Sequence, residues 1–148
     1  MRLLRGPAGS HLGTVRDRLY VHVAWTTRLR SPIIDAGIAQ FLQRFLASIA
    51  QQERARVLAF GVVRSHLHML IRLHPTTNIP RLIQRMKGGS AAIANKQGHT
   101  AQEELKWAKG YNIESVSPRA IDIVCRYIDD QAEHHPDEAI PGWPPPVA

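Results

Sequence analysis

Hydrophobic positions along the chain follow two periods, and these periods predict its secondary structure. Stretches rich in β-branched and aromatic residues predict four strands, at residues 19–25, 57–63, 66–71 and, less regularly, 107–116. Apolar residues at helical spacing predict three helices, whose capping side chains are Asp35, Thr77 or Asn78, and Ser117.

The order strand, helix, strand, strand, helix, strand, helix predicts an α+β domain. We expect a largely antiparallel β-sheet with helices packed on one face. The glycine-rich residues 1–17 are predicted to be a flexible lead, residues 18–135 to be the folded domain, and the proline-rich residues 136–148 to be an irregular tail.

The composition indicates which kind of binding partner and which cellular compartment to expect. A net charge of +7 and a pI of about 10.3 favour a polyanion as partner, although a basic, solvated surface is the plain alternative. Cys125 is the only cysteine, which excludes a disulfide within the chain and a cysteine-rich zinc site. No apolar run approaches the length of a membrane span, and we expect a cytoplasmic, nucleoid-associated protein.

Two histidines in the third predicted strand are the strongest chemical feature. His66 and His68 are two apart, so their rings project from one face about 6.6 Å apart, while Leu67 and Met69 point into the core. Such a pair can hold a divalent metal, and from ligand softness alone zinc or manganese is expected. Packing or hydrogen bonding is the simpler alternative for a pair of this kind.

A second constellation lies on the last predicted helix. Tyr127 and Gln131 are four apart, and His134 continues their face. Two imidazoles, an amide oxygen and a phenol around a metal suit phosphodiester cleavage by a tyrosine nucleophile. Tyr127 alone could equally be a residue at the boundary of the core.

Five segments resemble the single-tyrosine transposases of the HUH superfamily, which include the small insertion-sequence enzymes and those associated with repetitive extragenic palindromes. In chain order, they are the opening strand and loop at residues 20–33, the His-hydrophobe-His strand at 63–71, a Lys-Gly-x-Ser segment at 86–90, and the final strand and helix at 107–111 and 126–135. The similarity spans about residues 19–135.

The resemblance implies a ferredoxin-like or RRM-like sandwich, with Tyr127 as nucleophile and His66, His68 and Gln131 as ligands of Mg²⁺ or Mn²⁺. It also implies a homodimer that recognises hairpin DNA, cleaves and rejoins single strands beside it, and forms a 5′-phosphotyrosine intermediate. For the DNA contacts we predict five basic residues: Arg28, Arg30, Arg81, Arg85 and Lys87.

One departure concerns Arg64 and Ser65, where many relatives have a proline and an acidic residue, so no acid that could orient an imidazole is expected nearby. Tyr20 and Tyr111 compete less well as nucleophiles. Four further histidines rank lower as ligands: His22, His74, His99 and His135. Two other functions stay open: an inactive or domesticated module that binds hairpin DNA or RNA, and a metal-dependent phosphodiesterase that uses water.

Overall fold

A four-stranded antiparallel sheet forms the centre of the protein in the computed structural model, which describes residues 16–98 and 103–146. The strands are β1 (Leu19–Thr26), β2 (Arg56–Val62), β3 (His66–Leu73) and β4 (Asn112–Val116). Their spatial order is β2-β3-β1-β4. The helices are α1 (Ala36–Gln52), α2 (Ile79–Lys96), α3 (Ile121–Asp129) and the short α4 (Gln131–His134). The β-α-β-β-α-β order with this sheet is ferredoxin-like, which confirms the predicted fold class.

The two long helices begin where the sequence predicts. The side chain of Asp35 accepts a hydrogen bond from the backbone N–H of Ile38, and Asn78 accepts one from Arg81. Each cap satisfies one of the N–H groups that a helix leaves unpaired at its start. Of the two residues predicted to cap α2, Asn78 is therefore the one that does so.

Both faces of the sheet are covered, by different helices. Alternate residues of β3, Leu67, Met69 and Ile71, belong to the main core with α1 and α2. The intervening Leu70 packs instead with Ala59 and with Ile128 of α3. The long helices share one face, as predicted, whereas α3 lies on the opposite face, which is the face that carries His66 and His68.

The last predicted strand is shorter than its sequence suggests. Trp107 forms only an isolated bridge with Thr27, and β4 begins at Asn112. Gly110, with a φ of 81°, separates the two because its left-handed backbone turns the chain out of the strand.

Residues 136–143 pack against the domain. Pro136–Glu138 form one 3₁₀ turn, and Ile140 is buried in the main core. The ring of Trp143 contacts that of Phe60, with 6.5 Å between their centroids. Of the predicted lead only residues 16 and 17 are described, and His99 lies outside the described residues. No helix among the described residues is both long and apolar enough to cross a membrane.

Candidate active site

The sheet leaves space around His68 because its neighbours on the adjacent strands are small. In the antiparallel register His68 lies opposite Ala24 of β1 and Gly61 of β2. Paired residues on adjacent strands point to the same face, so neither neighbour covers the imidazole. An open cavity of about 440 Å³ lies at this position, and His22, Glu114 and Tyr127 are among the residues that line it.

The tyrosine and the predicted imidazoles meet within one chain. The ring of Tyr127 stands perpendicular to that of His68, with 5.8 Å between centroids, and the rings of His66 and His68 are 5.4 Å apart. Tyr127 is 40% exposed and lines the cavity, so a substrate that enters the cavity meets its side chain. On its outer side the ring contacts His134 at 4.8 Å.

Gln131 lies beneath the tyrosine, but the two residues do not share an uninterrupted helix. The chain leaves helical geometry at Asp130, between α3 and α4. The expectation of a single continuous helix is therefore wrong. Gln131 nevertheless stays close to Tyr127, because its Nε2 donates a hydrogen bond of 3.1 Å to the backbone carbonyl of Tyr127.

The amide oxygen of Gln131 supplies an independent test of whether these residues fit a metal. Gln131 is only 1% exposed, and its Oε1 makes no hydrogen bond of good geometry among the described residues, although the Gln131 side chain lies close enough to His66 to raise the pKa of that ring. Burying an unsatisfied carbonyl oxygen costs about 1–3 kcal/mol. A cation between this oxygen and the imidazoles would remove that cost, so the predicted ligand set fits a divalent metal.

Burial keeps the imidazoles neutral. The pKa of His68 is lowered to about 3, first by burial and then by the nearby rings of His22, His66 and His135. Burial also lowers the pKa of His66. The Glu138 carboxylate and a contact with the Gln131 side chain oppose this effect, whereas His135 and Arg30 add to it. A neutral imidazole has the free lone pair that a metal requires, so both rings are ready to bind at neutral pH.

Three residues that the sequence analysis ranked low or missed also belong to this site. Nε2 of His22 lies 2.9 Å from Nδ1 of His68, in hydrogen-bonding contact. His135 and Glu138 each place a potential ligand atom near His66, and the three atoms lie within 4.8 Å of one another. His66, His135 and Glu138 therefore form a second possible metal-binding group, which shares His66 with the predicted ligand set.

Sequence signals for these residues were weak. His22 lies on the same sheet face as His68, but this relation requires the strand register. His135 and Glu138 are three apart around Pro136, a spacing that one 3₁₀ turn places on the same side. Of the competing residues, Tyr20 packs under α3 and His74 bonds to Thr76 in an exposed turn.

Four of the five predicted DNA contacts fall into two groups. Arg28 and Arg30 lie on an exposed turn after β1, and the effect of Arg30 on the pKa of His66 places its charge beside the site. Arg81 and Arg85 both form ion pairs with Glu53, at 3.2 and 2.7 Å. DNA contact by either group stays a prediction.

Lys87 has a structural partner. Its ammonium group donates hydrogen bonds to the carbonyls of Ala108 and Gly110, at 2.8 and 2.6 Å. One turn further along α2, the hydroxyl of Ser90 accepts a hydrogen bond from the indole of Trp107. The Lys-Gly-x-Ser segment therefore fastens α2 to the chain that leads into β4.

Replacing Lys87 with methionine should destabilise the protein by about 1.5–3 kcal/mol, because two hydrogen bonds to a charged donor are lost while the aliphatic stem is kept. Thermal unfolding measures this effect. Lys96→Met is the control, because it removes the same charge from an exposed lysine of the same helix. Equal melting temperatures for the two variants would contradict a structural role for Lys87.

Comparison with known proteins agrees with this architecture. Residues 15–131 match the family model of IS200-like transposases. The ISDra2 transposase TnpA of Deinococcus radiodurans is 27% identical over 122 residues, which cover 77% of this chain and 84% of that protein.

Two solved structures share the fold. A crystal structure of a transposase from D. radiodurans R1 superposes with a TM-score of 0.60 at 26% identity, covering 83% of this chain and 97% of the other. The structure of a REP-associated tyrosine transposase bound to a REP hairpin superposes with a TM-score of 0.62 at 13% identity. The match covers 86% of this chain and 74% of the other. The family match covers most of the chain and includes the strand with the histidines, Tyr127 and Gln131, and the chain therefore belongs to the IS200-like family of DNA transposases.

Proposed function

We propose that the protein cleaves and rejoins single-stranded DNA beside hairpin elements through a covalent bond to Tyr127. The observation that carries this proposal is the buried Oε1 of Gln131, which makes no well-formed hydrogen bond, beside two neutral imidazoles and an exposed tyrosine. A core amide would have found a hydrogen-bond partner, and a merely structural tyrosine would not need to face a cavity.

His66, His68 and Gln131 would hold the metal, Mg²⁺ or Mn²⁺. When bound, such a cation withdraws charge from a non-bridging phosphate oxygen and orients the phosphate for in-line attack. The protein side chains prepare for it: burial keeps the rings neutral, and the contact with His22 leaves Nε2 of His68 as its free nitrogen.

The reaction exchanges one phosphodiester for another. The Tyr127 oxygen bonds to phosphorus and gives up its proton, the bond from phosphorus to the 3′ oxygen breaks, and that oxygen leaves as a 3′-hydroxyl after taking up a proton. The 5′ phosphate stays on the tyrosine. Attack by another 3′-hydroxyl reverses the step and rejoins a strand without a nucleotide cofactor.

The site can be assembled from a single chain, since Tyr127 already lies beside the imidazoles of its own chain. The homodimer implied by the resemblance stays part of the proposal and is tested by sedimentation with and without hairpin DNA. The proposal that the partner is hairpin DNA draws on the REP-associated relative, which was solved bound to a REP hairpin.

A covalent-adduct assay tests this function. The substrate is a pool of labelled DNA hairpins with randomised single-stranded flanks, incubated with protein and Mn²⁺ and then denatured in detergent. We expect label to remain on the protein, and chelation by EDTA to prevent this. Binding without cleavage would favour the inactive module, whereas cleavage without an adduct would favour the water-dependent phosphodiesterase.

The turn after β1 is the proposed path of the DNA backbone into the site. Leu29 and Arg30 have φ values of 57° and 54°, a conformation that is uncommon outside glycine, and Leu29 is 90% exposed between two arginines. Strained backbone of this kind persists where the surroundings fix it, and Thr27 does so through bonds to Ser65 and Ser31. The turn thus exposes two charges and an apolar side chain, and the charge of Arg30 acts on His66.

Replacing Arg30 with glutamine should weaken DNA binding and reduce the slope of log K against log salt by about 0.7–1, the release expected for one phosphate contact. Titrations at several salt concentrations measure the slope. Arg44→Gln removes an exposed charge from α1, on the other face of the sheet, and should leave the slope unchanged. Identical slopes for both variants would remove this turn from the proposed DNA path.

A further inference from the structure

The segment after α4 returns to the start of β3 and brings a carboxylate to the metal site. The backbone carbonyl of Glu138 accepts a hydrogen bond of 2.9 Å from the N–H of Arg64. On its other side the segment is anchored by Ile140, which is buried in the main core. Glu138 is thus held against the short turn that joins β2 to β3.

A chain of polar contacts connects Glu138 to His66 through Ser65. Nδ1 of His66 lies 3.2 Å from Oγ of Ser65, and this hydroxyl donates a hydrogen bond to Oε1 of Glu138. The other carboxylate oxygen is 3.9 Å from the same Nδ1. Ser65 is fully buried, so water does not compete for its hydroxyl.

The direction of these bonds follows from the number of protons. A serine hydroxyl has one proton, and an ionised carboxylate can only accept. The Ser65 proton is used toward Glu138, so the same oxygen must accept from His66. A neutral imidazole holds one proton; with Ser65 as its acceptor this proton lies on Nδ1, and Nε2 then has a free lone pair instead of a proton to donate to Gln131.

We infer that Glu138 is a positioning residue that, through Ser65, fixes His66 in the tautomer that binds metal with Nε2. A carboxylate behind a ligating histidine fixes the ring orientation and raises ligand basicity, and its loss commonly costs 10–100-fold in metal affinity. The inference rests on the proposed function in one respect, that His66 is a metal ligand. It supplies from the distant C-terminal segment the acid that is missing next to His66 in the sequence.

The competing role for Glu138 is direct ligation together with His66 and His135. Because Nδ1 is the His66 nitrogen that lies 3.9 Å from the Glu138 carboxylate, that arrangement would engage Nδ1 and compete with its contact to Ser65. Ser65 therefore separates the two roles: the positioning role requires its hydroxyl, and direct ligation does not.

The first experiment reads the His66 tautomer in the metal-free full-length protein by long-range ¹H–¹⁵N NMR of its histidines, with His66→Gln for assignment. We expect the Nδ1–H form in the wild type and a shift toward the Nε2–H form in Ser65→Ala. A wild-type ring in the Nε2–H form would overturn the inference. This result does not depend on DNA cleavage, so a failed adduct assay leaves the test intact.

The second experiment measures Mn²⁺ affinity by calorimetry for matched variants whose folding is checked by circular dichroism. Glu138→Gln should weaken binding by 10-fold or more, and Ser65→Ala by a similar factor. Asp137→Asn, which removes the same charge from the exposed neighbouring residue, should stay within twofold. Equal affinities for Glu138→Gln and Asp137→Asn would overturn the inference, and so would an unchanged affinity in Ser65→Ala.

Discussion

Replacing Tyr127 with phenylalanine should abolish the covalent protein–DNA adduct, a loss of at least about 10³-fold, while DNA affinity changes less than about twofold. Only the nucleophilic oxygen is removed, and loss of a nucleophile commonly costs this much or more in turnover. The ring itself remains to contact His68 and His134, so the fold and the binding surface are kept.

Tyr111→Phe is the matched control. Tyr111 is 39% exposed, almost the same as the 40% of Tyr127, and lies just before β4 rather than beside the imidazoles. We expect this variant to form the adduct at the wild-type rate. An adduct that persists in Tyr127→Phe, or disappears in Tyr111→Phe, would contradict the assignment of the nucleophile.

The sequence also allows the attachment site to be mapped directly. Residues 127–148 contain no lysine or arginine, so the tryptic fragment that begins at Tyr127 has Tyr127 as the only tyrosine in this stretch. After nuclease digestion of the bound DNA, mass spectrometry should find the added nucleotide phosphate on this fragment. Finding it on the fragment with Tyr20 or Tyr111 would show that another phenol reacts.

Local sequence patterns predicted those parts of the fold that short-range physics determines. The alternation in residues 66–71 gave the two faces of β3, and the side chains of Asp35 and Asn78 marked the starts of α1 and α2. Each of these features depends on contacts within a few residues, which a pattern can report.

The site depends on contacts between distant parts of the chain, and local sequence patterns cannot predict such contacts. Ser65 and Glu138 are 73 positions apart, and no periodicity connects them. Likewise, the sequence does not show that Arg81 and Arg85, which we predicted to contact DNA, form ion pairs with Glu53. The Glu53 side chain is mostly buried. Helix α3 can lie on the second face only because β2 has a residue without a side chain at the point of contact. The strand register is needed to identify that point.

Gly61 is that residue, and Gly61→Ala is expected to be the most damaging glycine-to-alanine change among the described residues. A Cβ at this position would lie 1.9 Å from the backbone carbonyl oxygen of Ile128 and 3.0 Å from Cγ of Gln131. The first clash is with helix backbone rather than with a flexible side chain, so the end of α3 must move away from β2.

That movement has two separable consequences. Ile128 is fully buried with Leu70 and Ala59, and forcing this packing apart should cost about 1–3 kcal/mol, measured by chemical denaturation. Tyr127 and Gln131 flank Ile128 and would move with it, and a misplacement of about 1 Å commonly costs about 10²-fold in rate. Adduct formation, assayed well below the melting temperature, should fall by that factor even where circular dichroism shows a folded protein.

Gly88→Ala is the opposite case and serves as the control. Nothing lies within 4 Å of a Cβ at this exposed position of α2, and alanine is favoured over glycine in a helix by about 1 kcal/mol. This variant should therefore be slightly more stable and fully active. If Gly61→Ala matched it in stability and in adduct rate, the close approach of α3 to β2 could not be what brings the tyrosine to the histidines.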